Sequence, residues 1–309
     1  MGKKIFKTLD EQVEILRNKG LVIDNEDYAK EILLRENYFF LNGYRHLFMK
    51  SSDNSMYIPG TKIEELYSLF LFDRRLRSIF FKNILIVENN VKSIISYQLS
   101  KKYGYKEKDY LNPNNFVNNG AKRKQVSDLI SKMKRQIKTN ATQHVATQHY
   151  VNNYGYIPLW VLVKVLSFGI VAELYGILKD DDKASIANVY EVDTETFLIF
   201  LSLLANFRNI CAHEDIFFDH RTGRKIPDNK FHKLLDIDTD EDGYIFGKND
   251  LYALVLIMKY MLSETEFRDL VHEINYELDV LNGKVNSVSI VAILKKIGFP
   301  INWTDILDL

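Results

Sequence analysis

The sequence predicts an all-α protein, and three observations carry that prediction. Apolar residues recur at three- and four-residue intervals, with no Pro or Gly, from Thr61 to Lys102, which is the period of one helical face. Runs that alternate apolar and polar residues, as half-buried strands do, are scarce. The 309 residues include only 5 Pro and 14 Gly, too few to turn a many-stranded chain every ten residues.

Residues 7–19 and 25–36 read as two short helices, the second capped by Asp24 or Asn25. The aromatic run Tyr38-Phe39-Phe40-Leu41-Asn42-Gly43-Tyr44 follows. In the long segment, Ile63, Leu66, Phe70, Leu76, Phe80, Ile84, Val87, Val91, Ile94 and Ile95 form the apolar stripe. At 1.5 Å per residue that helix is about 60 Å long, a length at which one bend is expected. Residues 105–120, rich in Asn and carrying Pro113 and Gly120, form a loop. Residues 121–139 form an amphipathic helix with Val126, Leu129, Ile130, Met133 and Ile137 on its apolar face. Residues 159–179 and 182–190 are helical. Asp193 or Thr194 caps a further helix, whose stripe Phe197, Phe200, Leu201, Leu204 and Ala205 is extended one turn by Arg208. Residues 214–248 are loop-like, and helices follow near 250–263, 265–283 and 287–297. The chain divides into an N-terminal helical segment (1–60), a helical core (61–220) with a basic helical insertion at about 105–157, and a C-terminal helical segment (221–309).

Lys+Arg and Asp+Glu both number 41, so the whole chain lacks the positive excess usual in nucleic-acid binders. The balance is uneven. Lys122, Arg123, Lys124, Lys132, Lys134, Arg135 and Lys138 fall within 121–139 against the single acid Asp128, a local net charge of +6, so this helix is a candidate contact for an RNA backbone. The single cysteine, Cys211, excludes an internal disulfide framework and a multi-Cys zinc site, and suits a reducing, cytoplasmic setting. The start, Met-Gly-Lys-Lys-Ile-Phe-Lys, lacks the apolar region of a signal peptide. No run reaches the roughly 20 apolar residues that span a bilayer, so no membrane association is expected. Asp238-Thr239-Asp240-Glu241-Asp242-Gly243 resembles the start of a calcium-binding loop, but its twelfth position is Asn249 rather than a bidentate Glu. A solvated turn is the reading we adopt there, with no metal and no cofactor expected anywhere. Tyr38, Phe39 and Tyr44 could stack on bases, but core packing is the simpler role for them.

One candidate for chemistry remains, Arg208-Asn209-Ile210-Cys211-Ala212-His213. An Arg that continues the apolar stripe of a core helix is costly to bury unless something anionic meets it. Five steps of 100° set Arg208 and His213 about 140° apart on an ideal helix. Either the helix ends between them, or two copies of the motif face each other across a two-fold axis. Histidine titrates near neutrality and can move the proton of a ribose 2′-OH or of a leaving oxygen. Arginine offers a permanent charged fork for phosphate oxygens as charge builds. Internal attack by the 2′-OH needs no metal, and DNA lacks that group. The alternative is structural: Arg208 pairs with a buried carboxylate such as Glu88 or Glu173, and His213 is simply a helix-end residue.

Seven stretches, in this order, resemble the Abi family of bacterial phage-defence proteins (the AbiD/AbiF type). They are Gly20-Leu21-Val22-Ile23-Asp24, Tyr38-Phe39-Phe40-Leu41-Asn42-Gly43-Tyr44, Leu71-Phe72-Asp73-Arg74-Arg75-Leu76-Arg77, Val87-Glu88, Pro158-Leu159-Trp160, Leu166-Ser167-Phe168-Gly169 and Phe207-Arg208-Asn209-Ile210-Cys211-Ala212-His213. Together they span about residues 10–220. Lys164 stands where relatives often carry an acidic residue. The resemblance implies a HEPN-like helical bundle, a class that usually dimerises and includes many metal-independent ribonucleases. The Arg-x4-His motif is also similar to that of RNA-targeting CRISPR effector nucleases. It implies catalytic roles for Arg208 and His213, with Asn209 as the polar residue that often follows the Arg. The implied function is an abortive-infection endoribonuclease toxin, cytoplasmic and homodimeric, with RNA as substrate or as a structured antitoxin that restrains it. The alternative is a non-catalytic RNA-binding HEPN module acting as an RNA–protein complex in phage defence or toxin–antitoxin regulation.

Overall fold

Capping residues start most of the helices. The Thr8 side chain accepts from the Glu11 amide and Glu11 reaches back to Thr8, a reciprocal cap for α1 (Leu9–Asn18). Of the two expected caps of α2 (Glu26–Glu36), Asn25 fills the role by accepting from Tyr28 N. A short α3 (Tyr38–Gly43), a 3-10 turn and the hairpin β1 (Met49–Ser51) and β2 (Asn54–Tyr57) lead to the central element. The computed structural model describes residues 5–51, 54–117 and 119–309.

The central element is α4 (Ile63–Tyr103), which runs 41 residues unbroken until Gly104 at φ 95° ends it. Phe80, Ile84, Val87 and Val91 are fully buried along it, each contributing about 1.5–3 kcal/mol by leaving water. A short α5 (Glu107–Tyr110) interrupts the expected loop after it. The basic helix is α6 (Lys122–Gln143), one turn longer than its sequence pattern indicated. The chain then forms α7 (Val145–Tyr154), which sequence periodicity did not reveal.

The helix expected over 159–179 is two helices, α8 (Leu159–Val165) and α9 (Phe168–Ile177). Ser167 divides them, because its hydroxyl accepts from Ile170 N and starts a new helix. After α10 (Asp180–Ala187), Asp193 accepts from Glu195 N and Thr196 N to start α11 (Thr194–His213). The remainder contains α12 (Lys230–Leu234), a hairpin of β3 (Thr239–Asp240) and β4 (Gly243–Tyr244), α13 (Leu251–Met261), α14 (Glu264–Asn282) and α15 (Ile290–Ile297).

The fold is therefore all-α, with two very short hairpins among the described residues. Helices α8, α10, α11 and α14 all pack on α4. Arg75 and Lys82 on α4 pair with Glu277 and Glu273 on α14, and Glu65 accepts from Asn286 N and Ser287 N. Buried apolar residues from Val13 to Ile306 form one contiguous cluster. Helix α11 corrects one sequence expectation. Its length and composition suffice to cross a bilayer, alone among the described helices. Its apolar stripe, including Phe197, Phe200, Leu201, Leu204 and Phe207, is buried in the common core.

Candidate functional site

Helix α11 continues through the whole motif and ends only after His213, where Glu214 adopts the left-handed conformation at φ 56°. The option in which the helix breaks between Arg208 and His213 is therefore ruled out. Arg208 turns inward toward α4, its side chain one-third exposed, with Nε 3.7 Å from Glu88 Oε2 and the guanidinium 5.8 Å from the centre of the Phe81 ring. Asn209 and His213 are exposed. They lie one turn apart on the outward side, about 40° from each other around the axis. One chain thus leaves Arg208 and His213 facing different directions.

Of the two carboxylates that could have met Arg208, Glu88 does so, while Glu173 pairs with Lys132. The Glu88 contact is loose. A separation of 3.7 Å is beyond hydrogen-bond range, and both Glu88 Oε2 and Arg208 Nε are buried with no hydrogen-bond partner. The other carboxylate oxygen, Oε1, is held by Lys92 Nζ at 2.6 Å. A buried polar atom left unsatisfied costs about 1–3 kcal/mol, and a catalytic or binding role is one of the reasons a protein retains such an atom. Glu88 and Lys92 also line a 410 Å³ cleft with Asn89, Trp160 and Lys164. Sequence reasoning missed this cleft. Val87-Glu88 and Pro158-Leu159-Trp160 are both among the stretches that carry the resemblance, but no spacing rule joins residues 70 positions apart.

The far end of the motif is anchored from inside the protein. Asp73, fully buried on α4, accepts from Tyr44 Oη at 2.6 Å, from Arg77 Nη1 at 2.9 Å, and from the amides of Phe217 and Phe218 at 3.2 and 2.6 Å. Arg77 in turn donates to the carbonyls of Glu214 and Asp215 at 3.4 and 2.7 Å. Burial pushes Asp73 up to about 6 against the opposing pull of Tyr44, Arg77 and the two amides. Gly43 lets Ile216 approach, since a Cβ there would sit 2.5 Å from Ile216 Cδ1. Three of the sequence blocks therefore meet at one point and fix the segment that follows His213. Cys211 lies nearby, and burial pushes its thiol up to about 12, which leaves it protonated and unsuited to act as a nucleophile.

The seven basic residues of α6 divide into two groups. Lys132 is bidentate on Glu173 at 2.9 and 2.7 Å, and Lys122 donates to the Gly176 carbonyl at 3.3 Å. Arg123, Lys124, Lys134, Arg135 and Lys138 are exposed. These five occupy one flank of the outward face at successive 100° steps. Lys134 shares a 480 Å³ surface groove with Lys108. Among the N-terminal aromatics, Tyr44 is buried in the core while Phe39 is exposed. The acidic loop forms the β3–β4 hairpin, closed by Asp242 N donating to Asp240 Oδ1. Among the described residues, no group of three or more His, Cys, Asp or Glu side chains is arranged to hold a metal ion.

Comparison with known families finds a match over residues 31–219 to the family described as Abi-like protein. That span contains α4, the Glu88 cleft, the basic helix, the Asp73 anchor and the whole of α11. No curated protein and no solved structure matches the chain.

Proposed function

Because this chain belongs to the Abi-like protein family, we propose that it is an abortive-infection phage-defence protein that works as a metal-independent endoribonuclease of the HEPN kind. The observation that carries this reading is the state of Arg208. Its side chain is one-third exposed and meets Glu88, a residue of the cleft wall, only at 3.7 Å, too far for a hydrogen bond to that carboxylate. Such a group is ready to take a phosphate oxygen in a charge-assisted bond. His213 supplies the second requirement, an exposed imidazole at the end of a helix whose following segment is pinned.

In the proposed reaction the ribose 2′-oxygen attacks the adjacent phosphorus, and an imidazole takes the 2′-OH proton. The P–O5′ bond breaks and the 5′-oxygen receives a proton, leaving a 2′,3′-cyclic phosphate and a 5′-hydroxyl. Arg208 stabilises the charge that builds on the phosphoryl oxygens. Since one chain directs Arg208 and His213 apart, the reading calls for two copies related by a two-fold axis, each supplying part of the site. It places the protein in the cytoplasm with RNA as substrate, and a structured RNA docked on the exposed basic flank of α6 as the restraint.

His213→Ala is expected to abolish cleavage while leaving RNA binding nearly intact, because proton transfer contributes roughly 10²–10⁴-fold to rate and little to ground-state affinity. Arg208→Ala is expected to weaken both. Cleavage is expected to persist in EDTA and to be blocked by a 2′-deoxy nucleotide at the scissile position. Cleavage that requires Mg²⁺ would refute the mechanism. The Glu88 contact favours one other reading, a binding module in which Arg208 is structural. Full RNA binding without cleavage by the wild-type protein would select it.

A further inference from the structure

A row of aromatic side chains lies on the surface beside the Glu88 cleft. Ring centres are 5.4 Å apart from Tyr150 to Tyr154, 6.4 Å from Tyr154 to Tyr156, 5.8 Å from Tyr156 to Tyr105 and 5.5 Å from Tyr105 to Trp160. These residues come from α7, the turn after it, the segment that follows α4, and the first turn of α8. Tyr105, Tyr154 and Trp160 remain 41%, 57% and 43% exposed, so burial of the rings in a core does not explain the row. Cations accompany it. Lys106 Nζ sits 5.0 Å over the Tyr156 ring, and Lys108, two residues on, shares the surface groove of Lys134 from the basic flank of α6.

The row ends in a built cleft. Trp160 forms its rim, with Asn89, Lys92 and Lys164 around it. Glu88, 6% exposed, also lines it and has Oε2 without a hydrogen-bond partner. Arg208 lies 3.7 Å beyond that oxygen.

We propose that this row is a track for single-stranded RNA that delivers the strand to Arg208. Bases stack in succession on Tyr154, Tyr156, Tyr105 and Trp160, which every base can do because every base has a π face. The nucleotide on Trp160 enters the cleft. There the exposed Asn89 meets the edge of the base, the exposed Lys164 faces its phosphates, and the neighbouring phosphodiester reaches Arg208. Duplex RNA, whose base faces are covered, does not fit this track. The destination of the strand rests on the ribonuclease reading, whereas the binding track does not.

The protein offers its own probe. It has two tryptophans, of which Trp303 is 3% exposed and Trp160 is on the track. Titration of the whole protein with decamers of oligoadenylate and oligouridylate is expected to quench tryptophan emission. In Trp160→Phe the emission is expected to be unresponsive, while affinity measured by anisotropy of a labelled decamer stays within a few-fold. Trp160→Ala and Tyr105→Ala are each expected to weaken single-strand binding roughly 5- to 160-fold, with unchanged helical circular dichroism. Duplex of equal length is expected to bind more weakly at the same salt. The proposal is overturned if the wild-type protein binds no single strand, or binds it with unchanged emission and with Trp160→Ala within twofold. The two readings fail separately. Quenching without cleavage removes the ribonuclease and keeps the track; cleavage with Trp160→Ala unaltered in affinity removes the track alone.

Discussion

Replacing Asp73 by Asn tests whether the end of α11 is held from within. The carboxylate accepts from four donors, namely Tyr44, Arg77 and the amides of Phe217 and Phe218. Asn offers one acceptor oxygen. If that oxygen keeps the shortest amide bond, to Phe218 N, its NH₂ group confronts the other three donors. Removing one partner of a buried ion pair costs about 3–5 kcal/mol. Arg77 keeps its bonds to the Glu214 and Asp215 carbonyls, which sets its share near the lower figure. The orphaned Phe217 amide adds about 1–3 kcal/mol, for a total of about 4–6 kcal/mol. That is a large part of the 5–15 kcal/mol by which native proteins are typically stable. Urea unfolding at pH 7.5 measures the total. Limited proteolysis, with cuts mapped near 214–218, reads whether the loss is centred on the segment after His213. A change below about 1 kcal/mol with an unaltered digestion pattern would refute the anchoring argument.

Three further outcomes follow from the same structure. Substituting Gln at Arg123, Lys124, Lys134, Arg135 and Lys138 is expected to flatten the slope of log affinity against log salt by roughly 0.7 for each phosphate of single-stranded RNA that is no longer neutralised. Lys132→Gln is expected to leave the slope unchanged, because Lys132 is committed to Glu173. His232 is fully buried, donates from Nε2 to the Gly247 carbonyl and accepts at Nδ1 from Asn229 N, and burial lowers its pKa from 6.5. Its stabilisation is therefore complete above about pH 6.5 and declines as pH falls further, since the unfolded chain takes up the proton first. Thermal melts from pH 5 to 7.5 are expected to be flatter for His232→Gln, and an identical pH dependence in both proteins would count against it. Gly43→Ala places a methyl 2.5 Å from Ile216 Cδ1, the far end of a side chain that can turn aside, and with Gly43 at helical φ −62° it is expected to cost no more than about 1 kcal/mol. Adding Ile216→Val, which removes that Cδ1, is expected to recover part of the loss in the same unfolding assay.

The fold was legible wherever one periodic face ran on without interruption. The stripe from Ile63 to Ile95 and the stripe from Phe197 to Leu204 read as helices, and helices they are. The 159–179 segment read as one helix because Leu166-Ser167 lacks Pro or Gly, yet a serine hydroxyl able to cap Ile170 N is enough to divide it. Helix α7 escaped notice because polar residues on its exposed surface interrupt any apolar period. At the candidate site, Glu88 stood among the expected partners of Arg208, since a half-buried guanidinium requires a carboxylate. The angular conflict between Arg208 and His213 was also visible in advance. The aromatic row was not, because positions 105, 150, 154, 156 and 160 come together only through tertiary packing. Which lysines of α6 were already engaged was likewise a matter of what α9 presents to them.

Helix α4 carries separate obligations at separate depths: Glu65 to the loop after α14, Asp73 to the segment after α11, Glu88 to Arg208, and Lys102 to Asp182 on α10. Adding or removing a single residue within it would rotate everything beyond that point by about 100° and slide it about 1.5 Å. Every later obligation would then miss its partner at once. A change of residue at an exposed position that holds no partner disturbs little beyond itself. The helix therefore serves as a ruler, whose markings can be rewritten one by one while its length stays fixed.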